Sequence, residues 1–112
     1  MTTIRRLVEM RLDEIERLLT MLGLKKIRST EPRELRSLYT PLNKIGPIHQ
    51  LHTYGRDDSD ILVQIMMIDK KVMSVWIVRR QDARYHLRAF RRKRIVHFPT
   101  ELANIFSPAK LT

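Results

Sequence analysis

The chain has no cysteine. That excludes a disulfide framework, a thiolate metal site and a cysteine nucleophile, and it fits a reducing compartment. Glycine is scarce: Gly23, Gly46 and Gly55 stand alone, so no glycine-rich phosphate loop can form. Long apolar runs are missing too. The longest, Ile61 to Ile68, is broken by Gln64 and falls far short of the roughly 20 residues that span a bilayer. The opening residues are basic but are soon interrupted by Glu9, Arg11, Asp13 and Glu14, which is not the pattern of a secretory signal. A soluble cytoplasmic protein with no membrane partner is the expectation. No GxSxG, HExxH or Cys/His arrangement occurs either.

Acidic residues are also in short supply. Twelve face 22 basic ones, and the net charge is +10 over 112 residues. The excess is local. Residues 79–94 carry eight basic side chains and only one acid, Asp82, whereas residues 47–78 are close to neutral. Such a field attracts polyanions: nucleic acid, an anionic membrane or an acidic protein surface.

Hydrophobic spacing divides the chain into a helical part (1–46), a β-meander (47–98) and a short closing helix (99–106), all within one domain. Ile4, Val8, Leu12, Ile15, Leu19 and Leu22 recur at helical spacing and predict a long N-terminal helix from about Thr3 to Leu22. Thr2 or Thr3 suits its cap and Gly23 its end. Ser29 or Thr30, Glu31 and Pro32 open a second, short helix that buries Leu35 and Leu38 and stops at Pro41. After Pro47 the rhythm becomes that of strands: Ile48–Tyr54, Ile61–Ile68, Val72–Val78, Tyr85–Phe90 and Arg94–Phe98. The two middle strands are apolar on nearly both faces, as covered central strands are. The expected fold is α+β, with a long N-terminal helix and short helices packed on a four- or five-stranded antiparallel sheet.

In the basic stretch, alternation puts Tyr85, Leu87 and Ala89 on one face and Arg84, His86, Arg88 and Phe90 on the other. Cations beside an aromatic ring suit single-stranded nucleic acid, with guanidinium groups for phosphates and a π-face for a base. Arg91, Arg92, Lys93 and Arg94 extend this as a hairpin tip, while Arg79 and Arg80 lead into it. Arginine-rich edge strands also serve simply to block sheet-to-sheet pairing. With seven aromatic residues in all, no stacking platform of the RNA-recognition-motif type is present.

Two constellations resemble catalytic ones. Asp57, Asp58 and Asp60 followed by Asp69-Lys70-Lys71 invite comparison with metal-dependent nucleases. Yet Asp60 and Asp69 bracket one strand, and nine steps of about 3.3 Å separate them by roughly 30 Å, too far for a shared ion. His49 and His52 would share a face in a helix but not in a strand, and His86 and His97 are the only other imidazoles. No catalytic residue, metal, cofactor or small-molecule substrate is expected.

Val8, Leu12, Ile15, Leu19 and Leu22 also fit a heptad seam, which points to a homodimer; the same spacing equally lets the helix cover its own sheet. The functional expectation is a non-catalytic nucleic-acid-binding protein, DNA or RNA, acting through Arg79–Arg94 as a dimer. The alternative is a protein-interaction module, an assembly factor or inhibitor, whose basic edge meets an acidic partner.

Overall fold

A computed structural model describes residues 5–36, 38–91 and 93–106. Its strands are β1 (Lys25–Ser29), β2 (Arg33–Glu34), β3 (Ile48–Gly55), β4 (Ile61–Ile68), β5 (Lys71–Arg79) and β6 (Arg94–Ile95). Its helices are α1 (Leu12–Met21) and α2 (Pro99–Ile105), with single 3-10 turns at Leu7–Glu9 and Arg80–Asp82.

The most apolar stretches, β4 and β5, form the central hairpin, as their composition demands. Asp69 and Lys70 turn it, both at positive φ (49° and 66°), the backbone that a tight two-residue hairpin requires. The Asp69 carboxylate accepts the Ile48 N–H at 2.9 Å and so ties the turn to β3. The sheet is antiparallel and has six strands in the order β1-β3-β4-β5-β6, with β2 also paired to β3. The expectation of four or five strands is corrected, because β1 and β2 share the outer edge of β3.

That edge replaces the second helix expected to open at Ser29 or Thr30. Thr30 is held extended against β3: its N–H donates to the Leu51 carbonyl, and its hydroxyl accepts the Leu51 N–H, each at 2.9 Å. Two long-range bonds to one residue outweigh the cap signal of Ser29-Thr30-Glu31-Pro32. Leu38, expected inward, is fully exposed, and Leu35 is at the surface.

The long N-terminal helix is also corrected. Met10 and Arg11 are extended (ψ 152° and 156°), and α1 begins only at Leu12. Leu7, which lies off the helical stripe, is the buried residue of the preceding turn, and its N–H donates to the His97 carbonyl at 2.9 Å. A continuous helix would carry Leu7 away from that partner. The Glu14 carboxylate instead accepts the Arg11 N–H at 3.1 Å and starts the helix there. Thr2, Thr3 and Ile4 lie outside the described residues. At the other end the reading of Gly23 holds: φ is +82°, the Gly23 N–H donates to the Thr20 carbonyl, and the Leu24 N–H donates to the Leu19 carbonyl at 2.8 Å.

α1 lies on one face of its own sheet. Ile15 and Leu19 are fully buried with Val63, Ile65 and Val75, and burial of this kind is worth about 1.5–3 kcal/mol for each side chain. Of the residues expected to form a seam with a second copy, Ile15 and Leu19 are fully buried against the chain's own sheet, and Val8, Leu12 and Leu22 are half-buried. The Glu16 carboxylate on α1 accepts the Tyr54 hydroxyl of β3 at 2.5 Å and pairs with Lys26 at 3.0 Å. Burial, followed by Glu16, pushes the Tyr54 hydroxyl far up, so it is a permanent donor. Leu102 of α2 and Phe106 just past its end close the same core. No helix among the described residues is long and apolar enough to cross a membrane.

Candidate functional site

The opposite face of the sheet is covered by the basic stretch itself. β5 leads into the turn at Arg80–Asp82, which is locked to the turn after β3. The Arg80 N–H donates to the Asp60 carbonyl at 2.6 Å, and its guanidinium donates to the Arg56 and Ser59 carbonyls at 3.1 Å each. The chain then runs across the sheet. Leu87 and Ala89 are buried against Leu51, Leu62, Met66, Trp76 and Val78, with Tyr85 packed beside them.

One buried residue holds this crossing in place. Gln64, at the centre of β4, is wholly buried. Its Nε2 donates to the Arg84 carbonyl at 2.6 Å and to the Thr53 hydroxyl at 3.0 Å, and its Oε1 accepts Trp76 Nε1–H at 2.9 Å. The residue that interrupts the apolar run of β4 is thus the anchor of the arginine-rich loop.

The strand expected over Tyr85–Phe90 is not formed, so the described residues Arg91, Lys93 and Arg94 do not follow a strand as the tip of a hairpin. The segment is a bend followed by turns, with the Ala89 N–H donating to the His86 carbonyl at 3.0 Å. Gln64 satisfies the backbone at Arg84 from the sheet face, where a strand would take it from an edge. Arg94–Phe98 shrinks to the two residues of β6, paired as Trp76 with Ile95 and Ile77 with Arg94. The predicted division of side chains survives without a strand. Leu87 and Ala89 point to the core, whereas Arg84, His86, Arg88 and Phe90 are exposed.

The predicted basic residues differ in their surroundings. Arg80 is engaged by backbone carbonyls, as above. Arg94 lies 3.7 Å from the Glu101 carboxylate, an exposed contact worth little. Glu101 is itself held below the usual carboxylate range, first by the His97 N–H at 2.8 Å, with the Phe98 N–H and the Arg94 charge adding to it. Arg79, Arg84, Arg88 and Arg91 are exposed and pair with no carboxylate among the described residues. Lys93 is half-buried, and Arg92 lies outside the described residues.

Two further arginines join this face from β1 and β2. A cleft of about 460 Å³ has Arg28, Glu31 and Arg33 on one side and Tyr85, His86 and Arg88 on the other. The Arg28 guanidinium lies over the Tyr85 ring, 4.6 Å from its centre. His86 Nδ1 accepts the Arg88 N–H at 3.2 Å, which leaves the proton of the neutral ring on Nε2 as a donor. Arg28 and Arg33 went unnoticed in the sequence: Arg33 lay in the expected second helix and Arg28 just before it, and no apolar alternation in these exposed strands pointed to Tyr85.

The other constellations do not assemble here. Asp60 and Asp69 stand at opposite ends of β4. His52 is buried on the α1 side of the sheet, its Nδ1 2.7 Å from the Ser29 hydroxyl, and burial followed by the charge of Lys26 lowers its pKa. No group of three or more potential metal ligands occurs among the described residues.

Compared with protein-family models, curated proteins and solved structures, the chain has no match.

Proposed function

We propose that this protein is a non-catalytic nucleic-acid-binding protein whose contact surface is the loop-covered face of the sheet. The observation that carries the reading is the state of Arg79, Arg84, Arg88 and Arg91. They are exposed and without carboxylate partners among the described residues, on a segment whose backbone is anchored by Gln64, Leu87 and Ala89. An anchored loop presents its cations at little entropic cost, which distinguishes it from a solvated tail. Arg28 and Arg33 enlarge the same surface.

Guanidinium groups suit phosphate because each presents paired donors in a plane. With about five phosphates neutralised, log affinity falls against log salt with a slope near −3.5 for single strands and near −4.5 for duplex DNA. A titration of single-stranded DNA, duplex DNA and RNA across a salt series tests this. Absence of binding at low salt to all three refutes it. Stronger displacement by poly-glutamate than by polynucleotide favours the alternative, a module for an acidic protein. A cytoplasmic homodimer belongs to the same proposal, with the contact drawn from surface other than Ile15 and Leu19. A monomeric mass in dilute solution removes that part.

A further inference from the structure

We infer that the cleft between the Ser29–Arg33 connection and the Tyr85–Arg88 loop holds one unstacked nucleotide of a single strand. The base lies on the Arg28 guanidinium and the flanking phosphates meet Arg33 and Arg88. The inference rests on the nucleic-acid reading above and narrows it to single strands.

Size and rigidity come first. About 460 Å³ lies inside the range of roughly 300–1,000 Å³ typical of sites for small organic groups. Both walls are fixed before any ligand arrives. On one side Thr30 is bonded twice to Leu51, and its carbonyl accepts Gln50 Nε2–H at 3.1 Å. On the other side Gln64 holds the Arg84 carbonyl, and Leu87 is buried. A preformed cleft loses little entropy on binding.

The chemistry of the lining narrows the ligand. The hydroxyls of Ser29 and Thr30 are turned to β3, with partners at His52 and Leu51. The polar side chains left for a ligand are three guanidiniums, the His86 ring, the Tyr85 hydroxyl and one carboxylate, Glu31. The Arg28 guanidinium is placed over the Tyr85 ring, 4.6 Å from its centre. A guanidinium is flat, and a side turned away from that ring offers a plane on which a base can stack, the arrangement by which proteins hold splayed-out bases. Arg33 and Arg88 are exposed and have no carboxylate partner among the described residues, so they remain for phosphate oxygens. Glu31 supplies an acceptor beside these cations, which fits a base with amino donors and does not fit bare phosphate. In a duplex the faces of an interior base are stacked on its neighbours and its edge is paired, so it cannot enter the cleft without leaving the helix.

The test is fluorescence anisotropy with a labelled DNA strand of about 12 nucleotides, within the span of single-strand sites, and with the duplex formed from it. The wild type is expected to prefer the single strand by about tenfold, the effect of one stacked base. Arg28→Lys keeps the charge and removes the plane, so the preference should fall towards parity. Arg33→Gln should make the single-strand salt slope shallower by about 0.7, the share of one phosphate. Equal wild-type affinity for strand and duplex, or an unchanged preference in Arg28→Lys, overturns the inference and leaves general nucleic-acid binding standing. Failure of both probes to bind at low salt removes the underlying reading, and this one with it.

Discussion

Replacing Gln64 by leucine should loosen the loop on which the functional proposal depends. The side chain is wholly buried and takes part in three hydrogen bonds, to Thr53, Arg84 and Trp76. Leucine is close in size and makes none of them. Trp76 is also fully buried, so its indole N–H has no water to turn to, a loss of about 1–3 kcal/mol. The Arg84 carbonyl gives up a bond worth about 1 kcal/mol net, but Arg84 is exposed and its carbonyl can reach water if the loop lifts. The new apolar surface returns about 1–2 kcal/mol. The expected balance is a loss of about 2 kcal/mol, a sizeable part of the roughly 5–15 kcal/mol that holds a domain folded. Urea unfolding followed by fluorescence reads it directly, because Trp76 is the only tryptophan. Trypsin gives a second readout: cleavage after Arg84 and Arg88 should quicken in the variant at urea concentrations too low to unfold it. Gln64→Glu retains the acceptor for Trp76 but sets a carboxylate against the Arg84 carbonyl, and it should destabilise further at neutral pH. A loss under about 0.5 kcal/mol, the scale of an ordinary surface change, with unaltered trypsin cleavage, refutes the anchoring role.

Other substitutions probe the frame around that face. Tyr54→Phe removes a bond to the Glu16 carboxylate and should cost about 1–2 kcal/mol in urea unfolding, at the low end because that carboxylate is 33% exposed; no measurable change would show the bond to be idle. Glu101→Gln should lower stability at neutral pH. The depressed pKa of Glu101 gives stability that is fully present above the ordinary carboxylate pKa and is lost as pH falls through the lowered one, so the gap to wild type should close on acidification below the ordinary value; a constant gap counts against the His97 and Phe98 contacts as its cause. Gly55→Ala places a Cβ 2.7 Å from Leu62 Cδ2 in a buried strand and should cost about 1–3 kcal/mol by overpacking, whereas a neutral result would mean that Leu62 moves freely.

Much of the β framework could be read from the residues. The apolar runs of β4 and β5, the charged turn between them and the Pro99 start of α2 all carry local signals strong enough to fix the element. So does Gly23, whose position past α1 needs a backbone that glycine adopts readily. The start of α1 could not be read, because Leu7 is placed by a bond to His97 at the other end of the chain. β1 and β2 were hidden for a similar reason: edge strands this exposed have no apolar alternation to betray them, and their partners lie in β3. In the basic stretch the facing of the side chains was legible, but the backbone state was not. Alternation says which residues point inward, and only Gln64, buried in another strand, decides that the backbone rests on the sheet and does not join it. The same non-local origin explains why Arg28 and Arg33 escaped notice as part of the site.

The claim that the anchored arginines hold a polyanion is tested most directly by the salt dependence of oligonucleotide binding in wild type and in the variant Arg84→Gln, Arg88→Gln, Arg91→Gln. These positions are exposed and free of carboxylate partners among the described residues, so the fold should be unaffected in urea. Loss of three phosphate contacts should make the single-strand slope shallower by about 2, with a large fall in affinity at low salt. The same slope and affinity in both proteins would place the binding surface elsewhere and contradict the account.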